Sequence, residues 1–576
     1  MIRVNKEKQI TLILGFLLVM LIVLIIVLAS VPPVSRDALT HHLAVPKLWI
    51  AHGGIYEIPD IKFSYYPMNL DLLYVVPLYW GNDIVPKYIH FAFALATAWI
   101  IFSYLRSKFN RMHAFLGALI FLSTPVVVKL SITAYVDLGL IFFTTLSLFY
   151  LMKWAENEFR FRYLAVAAVS CGLGLGTKYN GLISLFLLTI ITCGIYIRWF
   201  PEDGYRKTAR HQLKAMAYGA LFFTISCLIF SPWGLKNYVW TGNPLYPLYQ
   251  KHFQAGTGNP LEGKASIDDG LGSGEDRLLG PTQDAVKIDS HFIIRKLVYE
   301  ESWLETALIP LRIFFQGQDD NPKYFDGRLN PFLLLLPLFA FSGLGSDSRQ
   351  LKREVRLLCI FSVLYVLIVF FQIDMRIRWI SPVVPALAVL AVIGLQRMEN
   401  ICDTHTGPGA AIGKGLLWLV VAAMFTMNIL YLADLFRQVR PINYLLGNTS
   451  RDAYIERFHP EYSVIQFANS NTPQDSVILC FFLGKRRYYS DRSLRFDYNA
   501  FRDMVKERVS PQMIAASMKA HGISHLIVRH DLFNQWHNES FTPRERKVIF
   551  SFFKRYTKPL FTTEGYSLLT LGENSG

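Results

Sequence analysis

The sequence predicts a polytopic α-helical membrane protein that ends in a small α/β domain. Three observations predict it. The 576 residues are 52% hydrophobic and only 18% charged, against about 25% charged in a soluble domain. Uncharged apolar runs of about 18–20 residues, long enough to span a bilayer as helices, recur through residues 1–434. From 435 onward the composition becomes that of an ordinary soluble domain.

The elements follow in order. A basic stub precedes an apolar run at 11–30 that is too long for a typical signal-peptide core and exits through Ala29-Ser30-Val31-Pro32-Pro33, a poor cleavage site. It reads as an uncleaved first span. Ten further spans are expected at 84–105, 114–131, 137–153, 163–177, 181–199, 215–232, 330–344, 356–373, 380–396 and 414–434. Between the first two, 38–51 has an amphipathic pattern, with a break expected at Pro46. The Gly/Ser/Asp-rich stretch 254–290 reads as a flexible loop. In the terminal domain, 477–483 and 523–528 read as strands, and 511–520 and 546–556 as helices.

Net charge is +15, from 58 basic and 43 acidic residues. The basic residues do not form one stripe, so nucleic-acid binding is excluded. They cluster in every second loop, which makes those loops cytoplasmic by the positive-inside rule. The N-terminus is then cytoplasmic in a multi-pass inner (plasma) membrane protein. Segments 31–83 and 233–329 and the 435–576 domain face outward, into the periplasm or its equivalent. The six cysteines form no C-x-x-C pair, and no disulfide framework or zinc site is readable.

Charged residues at the outward ends of spans are the candidates for chemistry. Asp37 lies just past the first span and suits a general base. Asp137 heads the fourth span, and Asp71 lies in the first outer segment. For each the alternative is a helix N-cap. Lys178, Arg376 and Arg378 are cations on the side where the positive-inside rule expects few. They either bind an anionic phosphate or snorkel to headgroups. His41 and His42 are adjacent, so on a helix they point about 100° apart and rarely share one ion. No resident metal or other cofactor is expected, with a divalent ion at Asp37 and these histidines as the alternative. No phosphate-cradling glycine loop, dinucleotide fingerprint or nucleophile elbow is present.

Arg36-Asp37-Ala38-Leu39-Thr40-His41-His42 resembles the first-loop signature of GT-C glycosyltransferases. The nearest groups are bacterial relatives of protein mannosyltransferases and of aminoarabinose transferases. Four further stretches resemble recurring ones in such enzymes: Tyr66-Pro67-Met68-Asn69, Thr177-Lys178-Tyr179-Asn180-Gly181, Gly242-Asn243-Pro244-Leu245-Tyr246-Pro247 and Arg378-Trp379-Ile380-Ser381-Pro382. The likeness covers roughly the first 400 residues. It implies a GT-C-like transmembrane domain over 1–434. It also implies inverting transfer of a sugar from a polyprenyl-phosphate donor to a lipid, glycan or protein acceptor. Asp37 would be the base, with Asp137 and Asp71 as further outer-face acids. Lys178, Arg376 and Arg378 would meet the donor phosphate, and His41, His42, Tyr66 and Tyr179 the substrates. Many relatives carry an Asp-Glu pair where this chain has Asp37-Ala38. The rival readings are a flippase for lipid-linked sugars, which calls for interior charges and repeated halves, and a scaffold for envelope glycan assembly.

Overall fold

The computed structural model describes residues 2–199, 209–253, 291–342, 348–404, 408–507 and 510–572. The 254–290 loop expectation lies outside the described residues. The chain divides into two compact units. The first comprises Met1–Val31, Lys62–Leu271 and Ser290–Ile442; the second comprises Pro32–Ile61, Gly272–Asp289 and Asn443–Gly576.

The first unit is helical. Among the described residues, eight helices are long and apolar enough to cross a membrane: Glu7–Ala29, Val85–Lys108, Asp137–Glu156, Gly181–Trp199, Ala209–Thr241, Arg349–Gln372, Ile377–Thr404 and Pro408–Val439. A bent pair, Arg111–Ser123 with Pro125–Ser131, brings the number to nine, and Phe161–Leu175 and Phe332–Phe341 are shorter apolar helices at two further expected spans. The protein is therefore a multi-pass membrane protein. The 114–131 run, expected as one span, bends by 67° at Thr124. Pro125 opens the second piece and Thr124 is non-helical, with ψ near 128°. Proline lacks the N–H for a continuing helix and disfavours the α conformation in the residue before it.

The segment from Ile377 to Thr404 lies at the centre, with 94% of its apolar window buried. A helix that is apolar on all sides has nowhere else to go. Gly394 lets the chain at Leu336 approach closely, since a Cβ there would stand 2.2 Å from the Leu336 carbonyl oxygen. At one end of the unit Lys108 bridges Glu354 at 2.7 Å and Glu156 at 2.9 Å, tying three helix ends together.

The second unit is an α/β layer structure. Its strands are β1 (Val477–Phe481), β2 (Ser493–Arg495), β3 (Ile523–Arg529), β4 (Thr557–Thr563) and β5 (Tyr566–Leu571). They lie in the order β2-β1-β3-β5-β4. β1 pairs parallel with β2 and β3, and β5 pairs antiparallel with β3 and β4. Successive side chains of β1 point to opposite faces, so Ile478 and Cys480 join one core with the Tyr462–Asn471 helix while Leu479 and Phe481 join another. That second core packs Phe501, Met518, Trp536 and Phe552 from four helices. Both sheet faces are covered, as a parallel β1 core requires.

The 32–61 segment belongs to this unit. It forms a π-type turn, Ala38–His42, followed by the helix Ala44–His52. The break expected at Pro46 falls instead at Leu43. Pro46 sits in the first turn of the second helix, where its missing N–H would have no intrahelical partner anyway.

Glu461, 2% exposed, accepts from Arg486 Nε at 2.6 Å and faces His459 Nδ1 at 3.5 Å. Burial pushes its carboxyl up, but His459 and Arg486 outweigh that and hold it down at about 2, from an ordinary 4.5. A folded-state value below the unfolded one stabilises the fold above the unfolded pKa, and the gain is lost as pH falls toward the folded one. Melting curves should therefore show stability declining from about pH 4.5 toward about pH 2, by about 1.4 kcal/mol per unit of pKa difference at most. Glu461→Gln should be less stable at neutral pH and should flatten this decline; an equally steep decline in the variant would assign it to other carboxylates.

Candidate active site

Asp137 opens the Asp137–Glu156 helix at its first position, and Val136 is the N-cap. The helix start is satisfied by another group. His90 Nε2 accepts the Leu138 N–H at 2.9 Å. Its Nδ1 therefore carries the hydrogen and faces the carbonyls of Leu130 and Thr133, at 3.0 and 2.9 Å. The Asp137 carboxylate is thus not needed as a cap. It pairs with Lys178 Nζ at 2.7 Å, the acid side chain 3% and the lysine 17% exposed. Its second oxygen is buried and has no hydrogen-bond partner among the described residues. Arg378 lies within electrostatic reach of this carboxylate, its guanidinium over the Tyr135 ring at 5.5 Å.

Asp71 is buried in the first turn of the Asn69–Tyr79 helix. One turn along, the Tyr74 hydroxyl donates to the Tyr135 carbonyl and feels the charge of both Asp71 and Asp137. Asp71 and Asp137 thus share a locality in the first unit.

Several of the short sequence motifs meet in the same unit. Asn69 donates its amide N–H to the Leu173 carbonyl at 3.2 Å, and its backbone N–H binds the Gly176 carbonyl at 3.0 Å. Gly176 is required here, because a Cβ would stand 2.3 Å from the Asn69 amide. Asn69 Oδ1 accepts from Trp233 Nε1 at 2.8 Å. The Tyr66 and Tyr179 rings pack at 5.0 Å, and the Tyr179 hydroxyl donates to the Tyr246 carbonyl at 3.0 Å. Asn237 donates to the Tyr65 carbonyl at 2.8 Å and to the Tyr179 hydroxyl at 3.0 Å. Segments 65–71, 176–181 and 233–246 are therefore one packed cluster, and Lys178 links it to Asp137.

Sequence reading missed Lys236 in this cluster. Its amine donates to the Ser64 carbonyl at 2.9 Å and lies over the Trp233 and Trp240 rings at 4.8 and 4.9 Å. No carboxylate pairs with it among the described residues. The only available signal was a lysine followed by asparagine at the end of an apolar run, which hydropathy smooths over. His90 and Asn237 were missed for the same reason.

Arg376 and Arg378 part company. Arg376, 3% exposed, faces Asp326 at 3.5 Å and Asp374 at 3.9 Å. Asp374 in turn pairs with buried Arg295 at 3.2 Å. Arg376 thus takes part in an ion-pair network with Asp326, Asp374 and Arg295.

Asp37, His41 and His42 lie in the second unit. Asp37 is half-buried, precedes the Ala38–His42 turn, and makes no side-chain cap bond to it. The two imidazole rings are 4.1 Å apart at 47°, and Thr40 Oγ1 is 2.8 Å from His41 Nδ1. Among the described residues no group of three or more His, Cys, Asp or Glu could hold a metal ion. Asp37, His41 and His42 do not form such a group.

A helical membrane unit joined to a terminal α/β unit is the architecture of the GT-C-like fold. The chain has that fold. It aligns with the crystal structure of ArnT from Cupriavidus metallidurans in the apo state over 97% of both chains, with a TM-score of 0.52 and 13% identity. The same enzyme bound to undecaprenyl phosphate aligns over 97% of both chains, with a TM-score of 0.53 and 12% identity. The apo oligosaccharyltransferase of Archaeoglobus fulgidus aligns over 93% of this chain and 72% of its own, with a TM-score of 0.49 and 12% identity. Residues 82–234 match the dolichyl-phosphate-mannose-protein mannosyltransferase family. No curated protein sequence matches this chain.

Proposed function

We propose that this protein is an inverting glycosyltransferase. It moves a sugar from a polyprenyl-phosphate donor to an acceptor hydroxyl at the outer membrane face, with Asp37 as general base. What carries the reading is the convergence of segments 65–71, 176–181 and 233–246 with Asp137 and Arg378 in a GT-C-like bundle. The cluster brings cations and tyrosines to the spans' outward ends under the positive-inside orientation. The undecaprenyl phosphate bound by the similarly folded ArnT supports a lipid-phosphate donor.

In this reading the lipid tail stays in the bilayer and the phosphate lies against Lys178, Arg378 and Lys236. The acceptor oxygen attacks the anomeric carbon, the bond to the phosphate oxygen breaks on the opposite side, and the acceptor proton passes to Asp37. The cations stabilise the charge that gathers on the departing phosphate. Asp137 holds Lys178 in place through their ion pair. Lys236 is the strongest phosphate candidate, because no carboxylate among the described residues neutralises it and the two tryptophan rings hold it without competing for its N–H donors.

The test is a transfer assay in liposomes with a panel of polyprenyl-phosphate sugars. Lys236→Ala should raise the donor KM about 10- to 100-fold, the loss of one charge-assisted hydrogen bond worth about 1.5–3 kcal/mol. The acceptor KM should stay unchanged, and Lys236→Arg should recover most of the loss. An unchanged donor KM in Lys236→Ala would move the phosphate away from this residue. Movement of intact donor across the bilayer, with no sugar–phosphate cleavage by folded protein, would favour the flippase.

A further inference from the structure

We infer that the second unit is a positioning device for Asp37: residues 459–491 clamp the turn that carries this carboxylate, and the clamp sets turnover. The inference rests on the reading of Asp37 as the base.

The turn itself invites a clamp. In an α-helix the Leu43 N–H would bind the Leu39 carbonyl. Here it binds the Ala38 carbonyl instead, at 2.9 Å, one residue further back. This π geometry leaves the Leu39 carbonyl open to outside donors, and single π turns are frequent at functional sites. The Leu39 oxygen accepts the backbone N–H groups of both Arg487 and Tyr488, each at 3.1 Å.

The clamp closes on both sides of Asp37. Before it, the Tyr489 hydroxyl donates to the Pro33 carbonyl at 2.7 Å, and His459 Nε2 lies 2.6 Å from the Val34 carbonyl. A carbonyl only accepts, so Nε2 carries the hydrogen there. After it, Lys47 Nζ donates to the carbonyls of Tyr488 and Ser490 and to Asp491, at 2.9, 3.0 and 2.9 Å. The clamp is itself braced. Arg486 and His459 share the Glu461 carboxylate, and the Tyr462 ring packs edge-on against Tyr489 at 5.2 Å. Left-handed backbone at Phe482, Gly484 and Lys485 turns the chain sharply just before Arg486. A free loop next to a span would place a carboxylate over a wide range. These bonds hold three backbone carbonyls, of Pro33, Val34 and Leu39, and the Lys47 amine against residues 459–491, and positional errors near 1 Å are enough to cost about 100-fold in rate.

The full-length protein is tested with Tyr489→Phe, which removes one hydroxyl, and His459→Ala. Each is made alone and on Asp37→Asn. Hydrogen exchange at residues 35–43 should rise while β1 and β3 keep their protection. The kcat should fall about 10- to 100-fold with the donor KM within about twofold, and the same substitutions should leave the residual rate of Asp37→Asn nearly unchanged. Unaltered exchange at 35–43, or an equal loss of kcat in both backgrounds, overturns the inference. A fully active Asp37→Asn would remove the base reading and the catalytic half of this inference with it, while the exchange data would still decide whether the clamp orders the turn.

Discussion

Asp37→Asn is expected to lower kcat for sugar transfer by about 10²- to 10⁴-fold, the usual contribution of a general base, while expression, melting behaviour and donor affinity stay near those of the parent. The separation follows from where the carboxylate sits. It makes no cap bond to the turn that follows it, so the start of that turn does not need its charge. Asparagine keeps the size and one acceptor oxygen but cannot take a proton near neutral pH. Turnover with the best polyprenyl-phosphate sugar, measured alongside equilibrium binding of that donor, checks the prediction. Full activity in Asp37→Asn would take the base role from this residue. A loss of donor binding equal to the loss of rate would make Asp37 a donor contact. Asp37→Glu should retain intermediate activity, because the carboxylate survives at a displaced position.

The architecture was legible because its signals are local and redundant. Apolar runs of spanning length and alternating basic loops need no knowledge of tertiary contacts, and the strands at 477–481 and 523–529 announce themselves as short apolar runs after a change in composition. Legibility failed where a local rule met a tertiary one. Asp137 fits the pattern of an N-cap, yet His90, some 48 residues earlier, takes the Leu138 N–H and frees the acid for Lys178. Pro125 was visible as a breaker, but an apolar run on both sides of it reads as one span. Lys236 lies near the end of a 33-residue helix and gains its meaning only from Trp233, Trp240 and Ser64. The grip of His459 on Val34 and of Tyr489 on Pro33 crosses 425 and 456 residues of chain, beyond any periodicity.

Asp137→Ala is expected to be the most destabilising single substitution in the first unit's cation cluster, by about 3–5 kcal/mol, the usual cost of breaking a buried pair by removing one partner. Lys178 would then hold a charge at 17% exposure without the carboxylate that faces it at 2.7 Å, and Arg378 would lose the nearby negative charge as well. Replacing both partners by apolar residues of similar volume, Asp137→Leu with Lys178→Met, should restore most of the lost stability, because the desolvation cost of both ions disappears together. Thermal unfolding in detergent reads this part. Activity reads the other. If Lys178 serves the donor phosphate, the restored double variant stays folded and still shows a raised donor KM. If the pair only joins two helix ends, the double variant regains activity along with stability. Coupling between the two substitutions, taken from a full cycle of single and double variants, separates the ion pair from either residue's own contacts. A mild effect of Asp137→Ala would mean that the Lys178 charge is satisfied without the acid.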